Sequence, residues 1–247
     1  MPLLFSFLWI SLVSLLTANP DISVPQDRIL GGHDTEIDEA PWQVSLQKNG
    51  IHNCGGSIYS QTIIITAAHC VHGLKTGTLS IRAGSSKHNS GGIVVKVAAF
   101  KYHERYDSVT IHNDVAVILL KDPLALSPYI QSIPLAKTDP AEGSQALSTG
   151  WGSTGLFSPI HLQGVDLKIE SKSFCRLKYP FRVYKTDICA GHLGKAVCRG
   201  DSGGPLVVNG KLVGIVSRSG NILCLASGLY VSVAHYRKWI LRTIESF

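Results

Sequence analysis

A chain of 247 residues that is 45% hydrophobic and 16% charged can bury a full core, which excludes a disordered or low-complexity protein. Its formal charge of +6 comes from scattered lysines and arginines without runs, so a solvated surface or acidic partners are expected and a nucleic-acid partner is not. Six cysteines suit an oxidising compartment and three disulfides; no Cys-x-x-Cys spacing favours zinc, and spacing alone leaves the pairing open.

Leu3 to Leu16 is an almost uninterrupted apolar run that ends at the small residues Thr17-Ala18. At that length it reads as a secretory signal peptide over residues 1–18 rather than a membrane span, although its first residues carry no Lys or Arg. No other stretch is long and apolar enough to cross a bilayer, so a secreted, extracellular, monomeric protein without a membrane partner is expected. Residues 19–28 are polar, hold Pro20 and Pro25, and read as a propeptide. Arg28-Ile29-Leu30-Gly31-Gly32 then sets a basic residue before two apolar ones and two glycines. Cleavage after Arg28 by an activating protease frees an ammonium on Ile29, which can be buried only beside a carboxylate.

Trp42 to Leu46 alternates like a strand, and Ile63-Ile64-Ile65-Thr66 is a β-branched run suited to a buried one. Ile93–Phe100, Val115–Leu120, Leu147–Trp151, Val165–Ile169, Leu206–Val208 and Leu212–Val216 continue the pattern between Gly, Pro, Ser and Asn clusters. Many short strands with little helical periodicity predict an all-β fold of antiparallel barrels. Pro123, Pro128 and Pro134 place the junction of two halves near 123–134. Val233 to Ile244, with Tyr236, Trp239, Ile240 and Ile244, predicts a C-terminal amphipathic helix.

Three segments carry chemistry. In Gly200-Asp201-Ser202-Gly203-Gly204-Pro205 a serine lies among glycines, as suits a tight turn that presents one hydroxyl and aims the amides of Gly200 and Ser202 at one point. His69, at the end of the isoleucine run and beside Cys70, is a candidate general base. The other nine histidines read as surface or structural residues. Asp114 lies at the mouth of an apolar strand, where a carboxylate is costly unless a donor such as a histidine N–H reaches it. Asp201 is a suitable partner for the Ile29 ammonium.

Thr66-Ala67-Ala68-His69-Cys70, Asn113-Asp114-Val115-Ala116 and the serine segment, in that order, resemble the three signatures of chymotrypsin-fold serine proteases. Pro41-Trp42-Gln43-Val44-Ser45-Leu46, Thr149-Gly150-Trp151-Gly152 and Ile29-Leu30-Gly31-Gly32 match as well, so the resemblance covers residues 29–247. Leu79-Ser80-Ile81-Arg82 and Tyr102 to Leu120 look most like secreted trypsin-like proteases of insects and mites. The resemblance implies two six-stranded antiparallel β-barrels and the disulfides Cys54–Cys70, Cys175–Cys189 and Cys198–Cys224. It further implies a His69–Asp114–Ser202 triad, an oxyanion hole at Gly200 and Ser202, and activation through Arg28, Ile29 and Asp201. Protein or peptide substrates are expected, with protease inhibitors as further partners, and neither a cofactor nor a metal. The loop after Ile81 lacks the carboxylates of calcium-binding trypsins.

The resemblance implies substrate-binding residues Ala196, Val197, Arg199, Ser217, Arg218, Ser219 and Gly228, and the chain departs from trypsins among them at Ala196, Arg218 and Ser219. Ala196 occupies the position of the trypsin aspartate, and an apolar floor cannot compensate a buried Lys or Arg, so non-tryptic, apolar specificity is expected. Ser217-Arg218-Ser219 replaces Ser-Trp-Gly, the segment that pairs with substrate as an added strand. A second expectation follows from that change: a protease-fold binding or inhibitory protein with an occluded cleft.

Overall fold

The computed structural model describes residues 31–153, 158–179, 183–191, 194–218 and 227–247. The signal peptide, the propeptide, Arg28, Ile29, Ser219 and Cys224 lie outside the described residues. A short strand β1 (His33–Asp34) precedes β2 (Gln43–Lys48), β3 (Ile51–Ile58), β4 (Ile63–Thr66), β5 (Leu79–Ala83), β6 (Ile93–Tyr102) and β7 (Ala116–Leu120). Strands β2 to β7 close into a barrel in the order β2-β3-β4-β7-β6-β5. The second half holds β8 (Gln145–Gly150), β9 (Gln163–Glu170), β10 (Asp187–Gly191), β11 (Pro205–Val208), β12 (Lys211–Arg218) and β13 (Gly228–Ser232). Their order is β9-β10-β13-β12-β11-β8, and pairing of β8 with β9 closes a second six-stranded barrel, with β1 added on β9. Among the described residues, these strands pair with one another antiparallel throughout.

The apolar runs explain the cores. Ile63, Ile64 and Ile65 are all buried because β4 is covered on both faces, which is why that run does not alternate. They join Ile58, Ile81 and Ile118 in a core that extends to Ile215, Val231 and Ile240 of the second half. Leu167, Ile188, Val213, Val216 and Tyr230 fill the second barrel. The connection between halves is bonded to both: the Ile133 N–H donates to the Ile58 carbonyl and the Ala136 N–H to the Leu212 carbonyl.

Two α-helices complete the described residues. Helix α1 (Lys172–Lys178) is capped by Ser171, whose Oγ accepts from the Phe174 N–H at 3.1 Å. Helix α2 (Val233–Glu245) is capped by Ser232 and buries Val233, Tyr236, Ile240 and Thr243 at the spacing of one helical face. It forms where the sequence predicts it and ends one residue later.

Candidate active site

His69 is set by the covalent frame around it. Strand β4 ends at Thr66, a 3-10 turn over Ala68–Cys70 follows, and Cys70 is disulfide-bonded to Cys54 on β3. The backbone N–H of His69 donates to Asp114 Oδ1 at 2.9 Å, and its ring Nδ1 lies 2.8 Å from Asp114 Oδ2. Asp114 has no exposed surface, and its Oδ2 also accepts the Ser217 hydroxyl at 2.6 Å. A carboxylate so placed can only accept, so the Nδ1 proton points at Asp114 and the ring Nε2 is left as an acceptor. The loop before Asp114 holds Ile111 and Asn113 at φ 55°, a conformation rare for a β-branched residue. Tyr236 Oη donates to Asn113 Oδ1 and Asn113 Nδ2 to the Arg105 carbonyl, each at 2.7 Å, which pins that loop.

Ser202 lies on a loop that glycine contacts pack against the segment leading to His69. The Gly55 N–H donates to the Ser202 carbonyl at 2.7 Å. A Cβ on Gly203 would collide with Thr66 Oγ1, and one on Gly55 would meet the Gly204 backbone. The serine loop is therefore packed without side chains against the middle of β3 and the end of β4, three residues before His69.

The carbonyls of this loop are tied inward. The Ser153 N–H donates to the Arg199 carbonyl at 2.7 Å, and the Gly204 N–H donates to the Asp201 carbonyl at 2.9 Å. In a trans peptide the C=O and N–H point opposite ways, so these bonds turn the N–H groups of Gly200 and Ser202 away from the protein. Gly200, at φ +104°, has a backbone most side chains would strain. Its own carbonyl accepts from His52 Nε2 at 3.1 Å, and His52 Nδ1 faces Ser45 Oγ at 2.8 Å. Burial pushes the His52 pKa down to about 4, against the bond to Gly200 and with the help of nearby His88. A neutral His52 thus accepts from Ser45 and donates to Gly200, a positioning contact that sequence reading left among the structural histidines. Its only signal in the chain was its place two residues before Cys54.

Asp201 is also fully buried. It accepts from the Gly152 N–H at 2.7 Å and the Cys198 N–H at 2.8 Å. Burial nonetheless raises its pKa to about 6, against those two bonds. The close approach to Gly152 leaves no room for a Cβ there, which accounts for the Trp151-Gly152 pair.

Ala196 and Val197 are buried, and a Cβ on Gly228 would touch Val197 and the Tyr230 ring. Arg199 is exposed. Arg218 turns its guanidinium to Asp187, Nη2 to Oδ2 2.5 Å. Cys175 is disulfide-bonded to Cys189, and Cys198 is disulfide-bonded too, while its expected partner Cys224 lies outside the described residues. Among the described residues, two side-chain groups have metal-like clustering, Cys54/His69/Cys70 and Glu170/Cys175/Cys189. Both consist mainly of disulfide sulfur, which is not a thiolate donor, so neither is a metal centre.

Two barrels with a half-buried histidine bonded to a fully buried aspartate, and a glycine-framed serine beside them, define a serine endopeptidase. The trypsin family profile matches residues 29–240, and the chain belongs to that family. It is 46% identical over 241 residues to trypsin alpha-4 of Lucilia cuprina, covering 94% of each chain. It is 48% identical over 232 residues to trypsin delta of Drosophila erecta, covering 90% of this chain and 92% of that one. Among solved structures it is similar to the scabies mite inactivated protease paralogue S-D1, with a TM-score of 0.84, 30% identity, and coverage of 88% and 98%.

Proposed function

We propose that this protein is a secreted endopeptidase, activated by cleavage after Arg28, that hydrolyses peptide bonds after small or medium apolar side chains. One observation carries the reading: His69 is bonded to buried Asp114 through both its backbone and its ring, beside a glycine-framed serine loop whose Arg199 and Asp201 carbonyls are already bonded. Ser202 Oγ attacks the scissile carbonyl while His69 Nε2 takes its proton. Asp114 holds the tautomer and stabilises the imidazolium. The two amides hold the oxyanion, each such donor being worth roughly 3–4 kcal/mol in related enzymes. His69 then gives the proton to the leaving amine, and water releases the acyl group by the same steps in reverse. The apolar preference rests on Ala196, which places no carboxylate to meet a substrate cation.

Activation rests on Asp201. An ionised carboxylate with no exposed surface calls for a cation, and the Ile29 ammonium freed by cleavage supplies one. The alternative reading is a catalytically impaired paralogue, favoured by the likeness to the inactivated scabies mite protease paralogue. Cleaving the purified chain after Arg28 and profiling it on a peptide library separates the two. Turnover after apolar residues, absent in Ser202→Ala, supports the endopeptidase. A folded, correctly cut chain inert to every peptide contradicts it.

A further inference from the structure

Arg218 ends β12, and two residues of that strand, Ser217 and Arg218, span one step of β13. Such a bulge re-aims the side chain that follows it. Ser217 turns in to Asp114, whereas Arg218 crosses to a separate cluster. Its Nη2 meets Asp187 Oδ2, which also accepts the Tyr184 N–H at 2.9 Å. Its Cζ lies 5.0 Å from the centroid of the Tyr184 ring, a cation–π distance. The other face of the cluster is His112, stacked on Tyr184 with centroids 4.1 Å apart. Tyr184 Oη donates to the Thr110 carbonyl at 3.2 Å, so three distant segments meet around one guanidinium. The side chain of Arg218 is only 14% exposed and that of Asp187 3%.

A long cation at this position has two places to go. It can fold into the protein, or it can extend across the groove beside Ser217, where substrate is expected to pair. Folding a guanidinium inward is costly without a counter-ion, and Asp187 is the one it meets. We propose that Asp187 is a positioning residue that tethers Arg218 against Tyr184 and so keeps the cleft beside Ser217–Arg218 open to the substrate residues on the amino side of the scissile bond. The inference rests on the endopeptidase reading above. It adds that the cation standing in place of an aromatic platform is neutralised from within, so the occluded-cleft state is what the chain would show without Asp187.

The test compares the activated parent, Asp187→Asn, and Asp187→Asn with Arg218→Ala, all at pH 8. The substrates are an acetylated tetrapeptide anilide ending in leucine and the single-residue leucine anilide. Asp187→Asn should raise KM for the tetrapeptide about tenfold, with kcat and the short substrate little changed, because the freed arginine lies across the groove. Removing the arginine side chain as well should return KM to within about twofold of the parent. Equal losses on long and short substrates, no loss at all, or no rescue in the double variant would overturn the tether and assign the pair to structure alone. Fluorophosphonate labelling of the parent reports separately on the endopeptidase reading. The same KM ordering should appear as dissociation constants for the tetrapeptide amide on a Ser202→Ala background, so an inactive parent still leaves the tether decided.

Discussion

Replacing His52 by alanine probes how the catalytic loop is held. The ring joins buried Ser45 to the Gly200 carbonyl. Its loss removes one positioning hydrogen bond, about 1 kcal/mol net, and leaves the Ser45 hydroxyl buried without that partner, about 1–3 kcal/mol more. The variant should therefore be about 2–4 kcal/mol less stable than the parent at pH 7. That difference should not be constant. Folded His52 has a pKa of about 4 against 6.5 for the free side chain, a gap that corresponds to about 3 kcal/mol. The folded chain binds fewer protons at this site than the unfolded chain, so the contribution is complete above pH 6.5 and is lost as pH falls toward 4. Alanine has no such titration. The stability difference should shrink through this window and be near zero at pH 4, with the effects of other groups cancelling between the two proteins. Urea unfolding at pH 7, 5.5 and 4 reads it. A pH-independent difference would refute the buried, neutral assignment of His52. In the activated enzyme kcat should fall about 10- to 1,000-fold, the upper limit being loss of one oxyanion donor. An unchanged kcat would mean that the Ser153 bond alone orients the Gly200 amide.

Asp201 should titrate in the opposite sense. Its folded pKa of about 6 lies above the ordinary 3.8, so the uncleaved chain loses up to about 3 kcal/mol as pH rises from about 4 through 6. Asp201→Asn should then be the more stable protein at pH 7 before cleavage and the less stable one after it, when Ile29 supplies a cation; the same sign in both forms would contradict the activation step. Gly203→Ala has no room beside Thr66 Oγ1 and a φ of +78°. It should lose about 1–3 kcal/mol in urea unfolding and at least about a hundredfold in kcat/KM, and a fully active variant would break the packing argument. Arg218→Trp alone strands Asp187 and should cost about 3 kcal/mol in the same unfolding assay, whereas adding Asp187→Leu should recover most of it. An unaffected single variant would show that the ion pair carries no stability.

The candidate site was legible in the sequence because each of the three residues proposed as a triad lies in a segment with its own physical oddity. Ser202 sits among glycines, His69 beside a cysteine, and Asp114 before an apolar strand. Strand β4 and helix α2 were legible because their burial is continuous or periodic along the chain. Strand β3 was not, since His52-Asn53-Cys54-Gly55-Gly56 has no alternating pattern. Its glycines answer to neighbours on other segments, Gly55 to distant Gly204 and Gly56 to Ile64 and Val44 of the adjacent strands. Strand β10 hid for a related reason: Asp187 opens it, and a buried carboxylate makes sense only once Arg218, 31 residues on, folds back to it. The inward turn of that arginine depends on a bulge and a tertiary partner, neither of which leaves a local mark.

The most direct test of the account is covalent labelling of the proposed nucleophile. The protein is cut after Arg28, treated with a fluorophosphonate, digested and read by mass spectrometry, beside uncut chain and Ser202→Ala. The account predicts an adduct on Ser202 in the cut protein, far slower labelling of the uncut chain, and none in the variant. A folded, correctly cut protein that takes no label at Ser202 would contradict it.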